Sequence, residues 1–181
     1  IMRIIGIDPG SIICGFGIVD KINSNIKVVK FDAIKFKNKS EHLNNRLNQI
    51  FNKISEIITE YKPEVAVFEN VFYAKNAQSL IKLTAARTAA VLAALQKELP
   101  IYEFTPREVK KSVTGLGNAS KQQVCYMIKS ILKIEEEPRF FDASDALAVA
   151  LCYCYRHQQT GNSSQSWTEF IKNNPHRIVN C

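Results

Sequence analysis

No apolar run in this 181-residue chain is long enough to cross a bilayer: the longest, such as Leu147 to Tyr155, fall well short of the roughly 18–20 residues required. A membrane-spanning helix is therefore excluded. Asp8 interrupts the N-terminal apolar stretch too early for a signal peptide, so nothing directs export and the cytoplasm is the expected compartment. The five cysteines, at positions 14, 125, 152, 154 and 181, are scattered and odd in number, and Cys152 and Cys154 are spaced C-x-C rather than C-x-x-C. That pattern supports neither a disulfide framework nor a zinc site, and it predicts reduced, mostly buried thiols. A phosphate-binding P-loop is absent too, because no G-x-x-x-x-G-K-[ST] run occurs. Neither repeats nor low-complexity tracts are found.

A hydrophobic fraction of 46% with 23% charged residues is ordinary for a globular chain, and 181 residues are most simply one compact domain. Charge is more informative. Lys and Arg number 24 against 17 Asp and Glu, a net +7. The segment 105–133 holds six basic residues (Arg107, Lys110, Lys111, Lys121, Lys129, Lys133) against one acid, Glu108, and so supplies +5 of that excess. A basic patch of this kind suits a polyanion such as nucleic acid, since neutralised phosphates release counterions. Charge alone leaves a merely solvated helix face equally open.

Residues 2–8 and 12–19 read as strands joined at Pro9-Gly10-Ser11, and 26–36 as a third after Asn23-Ser24-Asn25; short loops make the three an antiparallel meander. From Ser40, a candidate N-cap, Leu43, Leu47, Ile50, Phe51, Ile54, Ile57 and Ile58 fall at helical spacing until Pro63. A buried strand follows at 64–69, then an Ala/Leu-rich helix over 77–98 stopped by Pro100, and a short strand at 101–104. Thr105-Pro106 has the chemistry of a helix start, Gly115 and Gly117 break the chain, and Ser120 opens a helix to Lys133. A last helix is predicted from Asp142 to His157. The order implies an α/β fold, a five-stranded mixed sheet with helices on both faces. The polar residues 159–181 lack a sustained period and read as a tail outside a domain of residues 2–158.

Four acids sit in apolar surroundings. Asp8 ends the first strand and Glu69 the fourth, so adjacent strands would project both carboxylates at one edge of the sheet. Asp142 and Asp145, three apart at the start of the last helix, share a face. Unpaired carboxylates in a partly dry cleft repel one another and resist ionisation, which calls for a cation among them. Hard divalent ions take oxygen ligands, and two of them can hold the attacking and leaving oxygens of a phosphodiester displacement. No His, Cys or Ser beside these acids resembles a nucleophile–base couple. Duller roles stay open for each residue: Asp142 and Asp145 suit N-cap and N3 positions, Asp8 a turn, and Glu69 an exposed strand end. The turn Asp8-Pro9-Gly10-Ser11 also fits the D-x-G-[ST] turn of actin-like and sugar-kinase ATPases, but those use paired domains that 181 residues with one such turn do not supply.

The runs IIGIDPGS with CGFGIVD, ENVFYAKNAQSLIKL, EFTPREVKKSVTGLGNASKQQV and DASDALAVA, in order from Met2 to Cys152, resemble the RuvC family of bacterial Holliday junction resolvases, members of the RNase H-like superfamily. The resemblance implies an RNase H-like fold and a homodimer that cuts four-way DNA junctions by paired symmetric nicks, leaving 5′-phosphate and 3′-hydroxyl ends. It implies Asp8, Glu69, Asp142 and Asp145 as catalytic metal ligands for Mg²⁺, with Mn²⁺ able to substitute and two ions per site. It implies Phe72 as an aromatic that stacks with a base near the crossover, and Lys110 and Lys121 as catalytic lysines close to the scissile phosphate. Lys75, Arg87 and Lys111 are further candidate DNA contacts, and the RuvA–RuvB branch-migration complex is the implied partner. The alternative is a catalytically inactive nucleic-acid-binding module on the same fold.

Overall fold

Alternation along the first strand decides which helices pack where. The computed structural model describes residues 1–36, 42–70, 76–135 and 141–159. Its elements are β1 (Met2–Asp8), β2 (Ile13–Ile22), β3 (Asn25–Lys35), α1 (Leu43–Tyr61), β4 (Val65–Glu69), α2 (Ala77–Gln96), β5 (Ile101–Phe104), α3 (Pro106–Thr114), α4 (Lys121–Leu132) and α5 (Phe141–Gln159). The strands form one sheet in the order β3-β2-β1-β4-β5. β1, β2 and β3 pair antiparallel, and β4 and β5 join parallel to β1, giving the expected mixed sheet.

On β1, Ile4 turns with Val19, Val65 and Val67 toward α3, α4 and α5, whereas Ile5 and Ile7 turn with Phe16, Ile18, Ala66 and Phe68 toward α1 and α2. Each isoleucine is fully buried, worth roughly 1.5–3 kcal/mol relative to exposure. Helices therefore cover both faces, with α5 set against β1 and β2. That approach depends on missing side chains: a Cβ on Gly6 would collide with the backbone of Ala146 and Ala150, one on Gly15 with the Asp142 carbonyl, and one on Gly17 would lie 2.7 Å from Leu147 Cδ2.

Two helix starts carry reciprocal caps. The Thr105 hydroxyl accepts from Glu108 N–H while the Glu108 carboxylate accepts from Thr105 N–H, and Pro106 follows at the first helical position. Ser120 and Gln123 repeat the arrangement on α4. Two boundaries differ from expectation. α1 begins at Leu43 with His42 before it, and Ser40 lies outside the described residues. α5 begins at Phe141, so Asp142 stands inside the first turn instead of opening it. Among the described residues the four cysteines are free thiols, three of them buried, and no helix is long and apolar enough to cross a membrane.

Candidate active site

Register places the first two acids. β1 and β4 pair Ile7 with Phe68, so the next positions, Asp8 and Glu69, end adjacent parallel strands side by side. Both fall on the face of Ile4 and Val67, the side covered by α5. The glycines under α5 let its first turn settle against the end of β2, with the Asp142 backbone directly over Gly15, itself the partner of Asp8. Asp142 and Asp145 are thereby brought to the same end of the sheet as Asp8 and Glu69.

Electrostatics shows the four acting on one another. The Asp8 carboxyl is pushed up to about 8, first by burial and then by the negative charges of Asp145, Glu69 and Asp142. Burial and Asp145 also raise Glu69, partly offset by Lys121 and Lys110. Lys121 donates to Asp145 Oδ2 at 2.8 Å. Desolvation works against its charged form, but Asp145, Asp8 and Asp142 outweigh it and hold the ammonium above its ordinary range. Among the described residues, no three His, Cys, Asp or Glu side chains are gathered tightly enough to enclose an ion by themselves. The donor set is nevertheless all oxygen, mutually repelling and open, which fits a hard cation that keeps several waters and takes only a few carboxylates. Beneath the site Cys14 is buried, its thiol pushed up to about 12 by desolvation and the charges of Asp8 and Asp142, so it stays protonated and takes no nucleophilic part.

The other candidates divide. Lys110, on α3, lies close enough to Glu69 to lower its pKa. Lys111, on the same helix, lines a different groove with Arg107 and Arg156. Arg87 of α2 pairs with Glu103 and stands over the Phe68 ring, 5.8 Å from its centroid, on the sheet face opposite the four acids. Phe72 and Lys75 lie outside the described residues, as do residues 160–181. Reasoning from sequence missed two features: the ion pair of Lys121 with Asp145, and the glycines that seat α5. The second has a readable signal, in that Gly15 and Gly17 share one strand face opposite an alanine-rich helix.

Residues 4–153 match the family described as crossover junction endodeoxyribonuclease RuvC. The chain belongs to the RuvC family. Among curated members, that of Salinibacter ruber is 42% identical over 178 residues, covering 98% of this chain and 99% of the relative. That of Cytophaga hutchinsonii is 38% identical over 175 residues, covering 97% and 87%. The structure of T. thermophilus RuvC in complex with Holliday junction substrate superposes with a TM-score of 0.82 at 28% identity, over 88% of this chain and 97% of that one. The RuvC family is one of metal-dependent nucleases.

Proposed function

We propose that Asp8, Glu69, Asp142 and Asp145 are the metal-holding carboxylates of the site, that two Mg²⁺ ions occupy it with Mn²⁺ able to replace them, and that Lys110 and Lys121 stand beside the scissile phosphate. As a RuvC-family endodeoxyribonuclease the chain resolves Holliday junctions. The observation supporting the residue assignment is the coupling at Asp8: three separate elements, β4, α5 and α4, bring the charges that act on its carboxyl. When bound, the ions supply Lewis acidity toward phosphate oxygens and a water activated for attack.

The remaining work falls to side chains. Asp8 and Glu69 sit at the ends of rigid central strands, which fixes their spacing. Lys121 neutralises Asp145 and presents a partly exposed ammonium where a phosphate enters, and Lys110 adds a second positive charge near Glu69. Both cations steady negative charge that builds on the phosphate as the bond to the 3′ oxygen breaks, leaving 5′-phosphate and 3′-hydroxyl ends. Phe72, Lys75, Arg87 and Lys111 keep the DNA-contact roles expected of them, base stacking for Phe72 and phosphate contact for the others, on the family resemblance.

Paired nicks need two sites, and a homodimer supplies them. In its support, the outward side of α2 carries Ile81, Leu92 and Leu95, each more than half exposed, beside an apolar groove that Leu47 and Leu80 help to line. The nuclease domain is residues 2–158, and RuvA–RuvB is the partner the family suggests.

Incubating a synthetic four-way junction with the protein and Mg²⁺ tests the reading. Symmetric paired nicks are expected; tight binding without cleavage would instead make the chain an inactive binding module.

A further inference from the structure

α3 presents its basic residues to two different places. Lys110 acts on Glu69, whereas Arg107 and Lys111, one turn apart, line a groove of about 860 Å³ with Ser112, Gly117, Tyr155 and Arg156. Three cations meet there against a single acid. That acid, Glu108, is already engaged by the N–H and hydroxyl of Thr105 and by Arg156 at 2.9 Å. Arg107 and Lys111 are exposed, and neither has an anionic partner among the described residues.

The placement of Arg107 runs against what α3 would choose for its own stability, although Lys111 in the last turn suits the helix dipole. Like charges at i and i+4 repel, and a cation in the first turn opposes the helix dipole, each worth a few tenths of a kcal/mol. The surroundings nonetheless hold Arg107 and Arg156 in position. A Cβ on Gly117 would lie 2.7 Å from Arg107 Cγ, so the glycine is what lets Arg107 lie along the turn. Arg156 is steadied over the Phe104 ring at 5.4 Å. Converging positive charge in excess of the groove's one acid, two of its three cations held in place, matches the spaced negative charges of a sugar-phosphate backbone.

We propose that the groove of Arg107, Lys111 and Arg156 is a second phosphate-binding site, gripping the DNA backbone that flanks the cleavage point and setting junction affinity without entering the chemistry. It rests on the junction-cleaving function above but not on the assignment of the four acids. The test uses the full chain carrying Arg107→Gln and Arg156→Gln, with four-way junction binding followed by anisotropy from about 50 to 200 mM salt. The slope of log affinity against log salt should shrink by about 2, near 0.9 per lost phosphate contact, and affinity should fall about tenfold or more. Single-turnover cleavage at saturating protein should stay within about twofold of the parent. The charge-preserving pair Arg107→Lys with Arg156→Lys should retain both slope and affinity, which separates lost charge from a disturbed fold. An unchanged slope overturns the proposal, as does a loss of cleavage at saturation. Normal cutting by an Asp8→Asn protein would instead overturn the acid assignment and leave the slope result standing.

Discussion

Aspartates at opposite ends of the β1–β2 pair sit in opposite electrical circumstances. At the start, Asp20 of β2 receives Arg3 through two hydrogen bonds of 2.7 and 2.8 Å, and that pairing holds its carboxyl below the ordinary range. At the finish, Asp8 is buried and meets three other carboxylates with Lys121 as the countercharge, and burial first, then those charges, raise its carboxyl to about 8. Sheet and residue type are shared, on neighbouring strands; burial and company differ. An acid that serves the fold arrives with its cation built in, whereas the acids at the other end keep repelling one another. On the proposed assignment, repulsion left in place at one sheet edge marks where the molecule gives up stability for chemistry.

The comparison breaks most visibly at Asp8. If Asp8 holds metal as proposed, Asp8→Asn removes a hard-cation ligand, so junction cleavage with Mg²⁺ should fall by several orders of magnitude while gel-shift affinity for the junction holds. Lys121→Ala strips the countercharge from Asp145 and should lower the single-turnover cleavage rate about 10²-fold, the size seen when one preorganised charge donor is lost. Lys110→Ala should lower it less, because Lys110 acts on Glu69 whereas Lys121 acts on both Glu69 and Asp8. Gly15→Ala tests the seat of α5: its Cβ would strike the Asp142 carbonyl, so the helix must shift, with a cost of about 1–3 kcal/mol in thermal unfolding and slower cleavage.

Much of this was legible from residues alone, for reasons that differ by element. Strands 2–8 and 64–69 announce themselves by apolar runs ending in a single acid, and once neighbouring parallel strands are supposed, Asp8 and Glu69 follow. Thr105-Pro106 and Ser120 carry local capping chemistry that needs no tertiary information. The pairing of Lys121 with Asp145 is different, since 24 residues separate them and only the packing of α4 on α5 joins them. Arg87 shows the same limit: its charge is plain in the sequence, but its pairing with Glu103 across the fold is not. Charge can be counted along a chain, but its partner is decided by topology.

The two ends should also respond to pH with opposite sign when divalent ions are chelated. A carboxyl raised to about 8 favours the folded state while protonated, so its contribution is present below the ordinary carboxylate range and is lost as pH climbs through about 8. Asp8→Asn should therefore match the parent in thermal stability near pH 4 and exceed it by several degrees near pH 8, at about 2–4 °C per kcal/mol for a chain of this length. Asp20 runs the other way. Its lowered carboxyl contributes above the ordinary range and loses that contribution as pH falls through its folded value. Asp20→Asn should cost about 0.5–1 kcal/mol near pH 7, the size of a solvent-screened ion pair, and progressively less on acidification. Calorimetric scans of both variants across that range decide the matter: parallel pH dependences would mean the two ends of the β1–β2 pair are electrically alike, and the contrast between structural acids and those proposed as catalytic would have to be abandoned.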